Sequence, residues 1–551
     1  MSRNNQVNAS EPIPIPQEEP EGQLLNYEDV LHMAGAQNKY QVRIGILISL
    51  GMVLAGLQIM GFPFMFREPA VECESTTTPG KWFDCLPTEN MCKNHKIRAK
   101  DGTVKSIVVS FDLYCADDEY RIIAETSYML ASALGVIALA PIADKYGKRV
   151  ALLVSYIVTS VSLVLCPFSP NWIVMLIFLI FSGLGRAPFI YYGFQLLVEV
   201  SNEHFRTIGV LIMGVTFAIG AAATSALNIA VNYNWEQFYL FFLAIPSVLG
   251  IPLVYYWADE SPISYFPAHN YAEARKCLQR IAKVNGRTLP EFKFVPEQTY
   301  LPILPEIEGE EMLVGAHKYS YLDLLRYKSL RLSVLGGAYV SFVTYFVFYG
   351  QILAIDVLTE NPTFVAILTS LIEALACVAS VGFLAKFTRK ATMIISFTIT
   401  AIAFLFYGIV TPEKICDIGN KQCEQLFVYL EYVELSVGRF WIAMLMCTTF
   451  VYANELFPTV IRSRGSGVVN FFGRIGSIIP SAVIYFCKQV GISPALIFGA
   501  VAAPACLIVL FMRETKGKLL LHHIEEEEKA DLEKQLLAEQ LERMNYLNDV
   551  M

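Results

Sequence analysis

An arginine stands inside an apolar stretch near the C-terminal end of the chain. Arg474 is flanked by the runs Gly465-Ser-Gly-Val-Val-Asn-Phe-Phe-Gly473 and Ile475-Gly-Ser-Ile-Ile-Pro480. If this stretch crosses a membrane, a charge at that depth costs at least ~2.5 kcal/mol, so the side chain must face protein or a water-filled cavity. A guanidinium carries a planar fork of donors that suits carboxylate, sulfate or phosphate groups. Arg474 is therefore a candidate anion-binding residue.

Three further ionisable residues in apolar stretches are selected as candidates, because a functional role is the default hypothesis at such positions. They are Glu125, Arg186 and Glu373. Each also has a structural interpretation. Glu125 could reach water at the outer end of its stretch, and Arg186 could donate hydrogen bonds to backbone carbonyls. Glu373 could pair with Arg474 and hold two helices together, since buried charges need partners.

The composition indicates that most of the chain meets lipid. Of its 551 residues, 54% are hydrophobic and 17% are charged, and the mean hydropathy is +0.46. One water-soluble core would not need so much apolar sequence. The formal net charge is -8, but the acidic residues cluster within 11–21 and 525–533, and nothing indicates a nucleic-acid partner. The chain has no apparent metal-ligand cluster and no phosphate-binding Gly-X-X-X-X-Gly-Lys-Ser/Thr loop, which predicts no cofactor and no ATP hydrolysis.

The apolar sequence is divided into helix-length segments. A helix that crosses ~30 Å of hydrocarbon needs about 20 mainly apolar residues. Twelve segments meet this requirement, beginning near Ile44, Ile122, Val150, Trp172, Thr207, Phe238, Leu332, Thr363, Ala391, Leu426, Gly465 and Pro494. A polar stretch, Glu260 to Tyr327, separates the first six from the last six, which is the outline of a two-bundle membrane protein.

This outline predicts five parts. They are an N-terminal segment that is partly disordered (1–40), a six-helix bundle (41–259) with a cysteine-containing outer loop at about 67–120, a linker with short helices (260–330), a second six-helix bundle (331–513) and an amphipathic helical tail (514–551). An even number of spans leaves both termini on one side. The lysines and arginines of Lys145–Arg149 and of the linker assign that side to the cytosol or its equivalent. The tail, with leucines at helical spacing, could bind a protein partner.

The cysteines agree with this topology. Six of them lie in two loops on the side opposite the termini, namely Cys73, Cys85, Cys92, Cys115, Cys416 and Cys423. Even numbers in each loop favour disulfides in an oxidising compartment, and free thiols are the alternative.

Short motifs resemble those of known families. Ala140-Pro-Ile-Ala-Asp-Lys-Tyr-Gly-Lys-Arg149, between spans two and three, is similar to the loop motif of the major facilitator superfamily. Further matches resemble the organic ion transporters, which handle organic cations, organic anions and carnitine. These are Phe111-Asp-Leu-Tyr-Cys-Ala-Asp117, Asp259-Glu-Ser-Pro262, Asn285-Gly-Arg-Thr-Leu-Pro-Glu291, Asn454-Glu-Leu-Phe-Pro-Thr-Val-Ile-Arg462 and Glu514-Thr-Lys-Gly517.

The resemblance implies an all-α multi-pass membrane protein with twelve transmembrane helices in two six-helix bundles, the major facilitator fold. It implies alternating-access transport of a small organic ion across a lipid bilayer, secondary-active or facilitative, with no enzymatic chemistry. The plasma membrane is expected, with an organelle membrane as the alternative. In this family, cation carriers place an aspartate in span eleven and anion carriers an arginine, so Arg474 favours an anionic or zwitterionic substrate.

The resemblance also assigns further site residues. Glu373 matches a glutamate that the family carries in span eight, and Phe348 and Tyr349 lie in an aromatic run typical of span seven. Tyr191 and Tyr192 of span four are expected to face them. Flat rings accept varied organic skeletons, and phenols add hydrogen bonds.

Charged residues at the ends of spans are candidate gates. In the loop motif, Asp144 could pair with neighbouring helices in one conformation, Gly147 permits the tight turn, and Lys148 and Arg149 follow. Two equivalent pairs, Glu199 with Arg206 and Glu455 with Arg462, end spans four and ten. The pairs could latch one conformation, or they could be static pairs worth under ~1 kcal/mol.

Several departures from the family pattern leave other functions open. Leu179 and Ala140 replace an arginine and a glycine, Ile263 replaces another arginine, and the second-half loop Ala385-Lys-Phe-Thr-Arg-Lys390 lacks the acidic residue and the glycine. One alternative is a transporter fold acting as a structural subunit of a larger membrane complex. Another is a proton-coupled sugar or nutrient symporter in which Glu125 or Glu373 carries the proton.

Overall fold

The structure is a computed structural model. It describes residues 23–25, 27–67, 69–75, 80–85, 95–100, 105–114, 119–266, 270–294, 323–326, 328–359, 361–410, 421–457 and 462–516.

Twelve helices in the described part of the chain are long and apolar enough to cross a membrane, as predicted. Spans one to six are Lys39–Met65, Glu119–Ala143, Lys148–Phe168, Trp172–Glu199, Ile208–Ala230 and Trp235–Trp257. Spans seven to twelve are Leu330–Leu353, Pro362–Lys386, Arg389–Ile409, Leu426–Ala453, Arg464–Val490 and Pro494–Phe511. Large apolar side chains remain exposed on their outer faces, as expected for helices that meet lipid rather than water.

The spans pack as two sets of six. In the first set, span one packs on span five, and span four packs on spans two and three. In the second set, span seven packs on span eleven, span nine on span twelve, and span ten on spans eight and nine. The two sets meet along span two against span eleven and along span five against span eight. Span one also contacts span seven. These six spans therefore line the interface between the bundles.

Two spans are irregular. Span six contains a π-helical segment, Tyr239–Ala244, between the helices Trp235–Phe238 and Ile245–Trp257. Span eleven consists of two helices, Arg462–Ile478 and Pro480–Val490. Proline at the first position of the second helix has no N–H to donate, so the hydrogen-bonded ladder is interrupted there. Arg474 lies about one turn before this break.

Short strands occur outside the spans and were not predicted from the sequence. On the side of the termini, strand β1 (Gln23–Leu25) pairs in parallel with β5 (Phe292–Phe294). Beside them, the helix Tyr27–Ala34 packs on the linker helix Tyr271–Val284.

The described parts of the long loop 66–118 lie on the opposite side. In that loop, β2 (Val71–Glu74) pairs antiparallel with β3 (Trp82–Cys85) and β4 (Ile97–Ala99). A disulfide joins Cys73 to Cys85, which confirms that prediction for these two residues. We refer to the two sides as the termini end and the loop end of the bundles.

Several predicted features lie outside the described residues. They are Cys92, Cys115, Cys416 and the tail from residue 517 onward, together with the side chains of Asp144, Cys423 and Arg462.

Candidate functional site

A buried ion pair lies at the centre of the second bundle. The guanidinium of Arg439, in span ten, donates a hydrogen bond to the Glu373 carboxylate of span eight. The two residues are 1% and 2% exposed. Arg439 also donates to the carbonyl oxygen of Phe348 at 3.0 Å, and its guanidinium carbon lies 4.2 Å from the centre of the Phe348 ring. The pair thus ties spans seven, eight and ten together.

This pair corrects the sequence interpretation of Glu373. The expected alternative partner was Arg474, whereas Glu373 pairs with Arg439, which sequence reasoning missed. The sequence did contain a signal for Arg439, because this residue, like Arg474, is a charged residue within an apolar span. Breaking a buried pair leaves a charge uncompensated, so the two residues hold each other in place.

Arg474 has a different environment. It is partly buried, and its guanidinium carbon lies 5.7 Å from the centre of the Tyr345 ring of span seven. No carboxylate in the described part of the chain forms an ion pair with it. The phenol groups of Tyr345, Tyr349 and Tyr128 lie within its electrostatic reach. Since Tyr128 belongs to span two, Arg474 points toward the interface between the bundles.

Aromatic residues of span seven surround this position. Phe348 and Tyr349 are 4% and 7% exposed, and their ring centres lie 5.2 Å apart. The Tyr345 and Tyr349 rings are 6.1 Å apart, and Phe348 approaches Phe217 of span five across the interface at 6.1 Å. The structure therefore places Phe348 beside Arg439 and places Tyr349 within electrostatic reach of Arg474.

The space beside the ion pair is narrow in this conformation. A cavity of about 10 Å³ is lined by Met60 of span one and by residues of the second bundle: Gln351, Ile352, Ile355, Leu358, Val365, Thr369, Leu435 and Arg439. A volume of this size holds no more than about one water molecule. An organic substrate could enter this space only if the bundles moved apart.

Glu125 does not reach water, contrary to one sequence interpretation. It is 2% exposed and accepts hydrogen bonds from Arg121 Nε and from Ser481 Oγ, each at 2.9 Å. Arg121 also donates to the carbonyl oxygen of Leu353 at 2.8 Å. Ser481 and Leu353 belong to spans eleven and seven, so these bonds connect the two bundles near the loop end. We refer to Arg121, Glu125, Ser481 and Leu353 as the loop-end latch.

The bundles also touch near the termini end. The rings of Phe194, in span four, and Phe450, in span ten, lie 5.1 Å apart edge to face. Span five meets span eight at Gly214, where an added methyl group would lie 2.5 Å from the Cys377 sulfur. Only a residue without a side chain permits this approach. The interface is thus contacted at both ends in this structure.

The predicted gate pairs have other partners. Glu199 pairs with Lys148, while Arg206 donates from Nε to the carbonyl oxygen of Val198 at 2.8 Å. The prediction that Glu199 pairs with Arg206 was therefore wrong. Glu455 pairs with Arg389 at 3.1 Å, and its predicted partner Arg462 has a side chain outside the described residues. Partner choice depends on how neighbouring helices rotate against one another, which local sequence does not specify.

The two halves repeat the same arrangement at the termini end of the bundles. In the first half, the Glu260 carboxylate accepts from the backbone N–H groups of Lys148 and Arg149 at 2.9 and 3.0 Å. Gly147 precedes this helix with φ 93°, a conformation that favours glycine, so its predicted role in the turn fits. Arg149 donates to the carbonyl oxygen of Tyr255 at 2.8 Å.

In the second half, the Glu514 carboxylate accepts from the backbone N–H groups of Arg389 and Lys390, both at 3.0 Å. Lys390 donates to the carbonyl oxygen of Leu510 at 2.8 Å, in the place of Arg149. The loop 385–390 lacks the expected acidic residue and glycine, yet Arg389 and Lys390 occupy the positions of Lys148 and Arg149. Both halves therefore have a carboxylate that accepts from two consecutive backbone N–H groups at the termini end.

The polar groups of span four face the interior of the first bundle. Tyr192 is 4% exposed and donates to the carbonyl oxygen of Val136 in span two at 3.0 Å. The Tyr191 hydroxyl accepts from Gln195 at 3.1 Å. Arg186 is 4% exposed, and neither of its terminal nitrogens donates to a described residue, so the expected bonds to backbone carbonyls are not formed. Of these three residues, Arg186 shares a neighbour with Arg474, because the Tyr128 phenol lies within electrostatic reach of both.

Comparisons with known proteins agree with this architecture. A sequence profile described as Major Facilitator Superfamily matches residues 122–481. Solute carrier family 22 member 6-A of Xenopus laevis is 26% identical over 440 residues, covering 78% of this chain and 74% of the relative. Solute carrier family 22 member 2 of Homo sapiens is 26% identical over 460 residues, covering 81% and 78%.

A solved structure shares the fold. The xylose transporter XylE from E. coli, in a partially occluded inward open conformation, matches with a TM-score of 0.60 at 15% identity. The match covers 87% of this chain and 100% of that chain. At this identity the likeness concerns the fold alone.

Proposed function

We propose that this chain, which belongs to the major facilitator superfamily and to the organic ion transporters within it, carries organic anions or zwitterions and binds their negative group at Arg474. The chain is an integral multi-pass membrane protein and a transmembrane transporter of organic ions rather than an enzyme. The proposed part is the sign of the substrate's charge and the residue that recognises it.

The observation that carries this proposal is the distribution of charge in the second bundle. Glu373 is neutralised by Arg439, so it is not available to Arg474. A partly buried cation attracts an approaching anion more strongly than a cation in bulk water does, because the effective dielectric constant is lower. A carboxylate, sulfonate or phosphate on the substrate would supply the missing negative charge. An organic cation would instead be repelled.

The neighbouring rings support an organic skeleton on the same substrate. Tyr345 and Tyr349 present phenol groups on the side of Arg474, and Phe348 adds an apolar face between the bundles. Aromatic walls with a few polar groups are typical of sites for small organic molecules. We therefore expect substrates that combine a flat apolar part with one anionic group.

The contacts between the bundles support alternating access. Opening toward the loop end would break the bonds of the latch, namely Ser481 to Glu125 and Arg121 to Leu353. Opening toward the termini end would separate Phe194 from Phe450. The ion pairs Lys148–Glu199 and Arg389–Glu455 each lie within one bundle, so the bundles can separate without breaking either pair.

Orientation and membrane are also proposals. The basic residues near the start of span three and in the linker support a cytosolic termini end. The Cys73–Cys85 disulfide at the other end supports an oxidising compartment there, such as the outside of the plasma membrane. The loss of gating residues favours the alternative function, a structural subunit of a membrane complex. The contacts of Arg389 and Lys390 with Glu514 repeat those of the first half, which weakens the support for this alternative.

A panel of substrates in proteoliposomes tests the proposal. The purified protein should take up aromatic carboxylates and sulfonates, and quaternary ammonium compounds of similar size should be neither carried nor inhibitory. Protein-free liposomes provide the control. Uptake of the ammonium compounds with no uptake of the anions would overturn the assignment.

A further inference from the structure

A second arginine lies unpaired in the other bundle. Arg186 is in the middle of span four and is 4% exposed, and both of its terminal nitrogens are buried without a hydrogen-bond partner among the described residues. No described carboxylate forms an ion pair with it. Burying an unpaired charge is costly, so proteins pair such groups or bind a counterion. Arg439 in the second bundle, which is equally buried, has its partner in Glu373.

Three phenol groups are the titratable neighbours of Arg186. Its electrostatic neighbours are Tyr128 of span two, Tyr156 of span three and Tyr239 of span six, which are 1%, 3% and 1% exposed. The hydroxyls of Tyr156 and Tyr239 are near Ser247 and Gln58 but form no well-aligned hydrogen bond. A small rotation of either hydroxyl would let it donate to an anion instead. All these residues belong to the first bundle.

The neighbouring amide of Gln58 is already engaged. It donates to Ser182 Oγ at 2.9 Å and accepts from the Tyr128 hydroxyl at 3.4 Å.

Among the acidic residues on helices of the first bundle, Asp144 and Glu203 have side chains outside the described residues. Asp144 lies 16 residues beyond Tyr128 on the same helix, about 24 Å away at 1.5 Å per residue. Glu203 begins its helix at the termini end, beyond Glu199, which is itself about 20 Å from Arg186 along span four. Neither position suits a counterion of Arg186.

We propose that Arg186, together with the hydroxyls of Tyr156 and Tyr239, binds a monovalent inorganic anion of the halide class inside the first bundle. The cluster combines one full positive charge with hydroxyl donors, which is the chemistry that binds an anion. The side chains are nearly inaccessible, which favours a small spherical ion over an organic carboxylate. This site uses a different arginine from the proposed substrate site at Arg474, although the Tyr128 phenol lies within electrostatic reach of both arginines.

Thermal unfolding of the purified full-length protein in detergent, without organic substrate, tests the site. Ligands that bind only the folded state stabilise it by mass action. Sodium chloride or bromide should raise the Tm in a saturable way over sodium gluconate at equal ionic strength. Arg186→Leu should abolish this halide response, and in gluconate it should be at least as stable as the parent, because it removes an unpaired buried charge.

Two further variants make the result unambiguous. Tyr156→Phe, which keeps the ring and removes a donor, should raise the half-maximal halide concentration roughly tenfold. If Arg186→Leu fails to fold, this shift decides the case. Arg474→Gln should keep the halide response. An equal Tm in halide and gluconate, a halide response that persists in Arg186→Leu, or one that disappears in Arg474→Gln would overturn the proposal. Because no organic substrate is present, these outcomes are independent of the transport assignment.

Discussion

The Glu373 carboxylate accepts a hydrogen bond from the Arg439 guanidinium in the middle of the second bundle, where both side chains are almost fully buried. This relationship determines how the rest of the site is interpreted. Glu373 is paired with a residue of span ten, so it does not neutralise Arg474 of span eleven. Arg474 lies at the interface between the bundles. The centre of the second bundle, as far as the structure describes it, therefore contains a neutral pair, Glu373–Arg439, and a cation without a carboxylate partner, Arg474.

The first prediction concerns the stability of the Glu373–Arg439 pair. Glu373→Gln or Arg439→Met alone should lower the free energy of unfolding by about 3–5 kcal/mol, because each leaves the other charge buried without a partner. The double variant Glu373→Gln with Arg439→Met should recover most of this loss. Thermal unfolding in detergent measures the effect. Single variants as stable as the parent would show that the pair is dispensable.

The second prediction concerns the loop-end latch. Glu125 and Ser481 are joined by a 2.9 Å hydrogen bond between the two bundles. Cysteines introduced at both positions and joined by a bifunctional thiol reagent should block transport, since the loop end could no longer open. Cleaving the linker with a reductant should restore it. The two single-cysteine variants treated in the same way are the controls, and full activity of the cross-linked protein would contradict alternating access through this end.

The third prediction concerns charge pairing at the end of span ten. Arg389→Glu or Glu455→Arg alone should reduce transport, because each places two like charges in contact. The exchange of both residues should restore more activity than either single variant shows, since the pair is reformed with opposite orientation. Uptake into proteoliposomes at matched protein levels provides the measurement. A double variant no better than the singles would mean that the two side chains act separately.

The fourth prediction is a pH dependence at Glu514. Burial by itself would raise the pKa of this carboxyl, but hydrogen bonds from the backbone N–H groups of Lys516, Lys390 and Arg389, with the Thr388 hydroxyl, hold its pKa below the usual range. A pKa lower in the folded state means that Glu514 stabilises the protein above its unfolded pKa of about 4.3. This stabilisation is lost as the pH falls through the lower, folded value.

Glu514→Gln should therefore lower the Tm at neutral pH and flatten the fall of Tm between about pH 5 and about pH 3. Glu273→Gln, which removes an exposed carboxylate paired with Lys276, is the matched control and should leave the curve unchanged. An acid-dependent fall in Tm that is the same in Glu514→Gln and in the parent would contradict this interpretation.

Features that depend on composition and local pattern could be predicted from the sequence. The twelve spans follow from runs of apolar residues, because lipid imposes length and hydrophobicity directly. Their starts fall within a few residues of the expected positions. A disulfide in the first long loop was also predictable from its even number of cysteines, but the pairing of Cys73 with Cys85 depends on the neighbouring strands β2 and β3, which were not predicted.

Partners of charged residues could not be predicted in the same way. Glu373 with Arg439, and Glu199 with Lys148, are separated by many residues and meet because of how helices rotate within each bundle. The loop 385–390 was interpreted from its residue types alone. Its contacts with Glu514 are made by the backbone N–H groups of Arg389 and Lys390. Any residue type except proline offers such a group, so the side chains give no signal for these contacts. The rotation of span four within its bundle also explains why Tyr192 contacts span two rather than the interface between the bundles.

The most direct test of the central claim is uptake of an aromatic carboxylate by proteoliposomes containing Arg474→Gln. We expect at least a tenfold loss of transport relative to the parent, with partial recovery in Arg474→Lys, because one charged hydrogen-bonded contact is removed and then partly replaced. Lys488→Gln, which removes an exposed cation from the same span, is the matched control and should transport normally. Unchanged carboxylate uptake in a folded Arg474→Gln protein would contradict the assignment of Arg474 as the anion-binding residue.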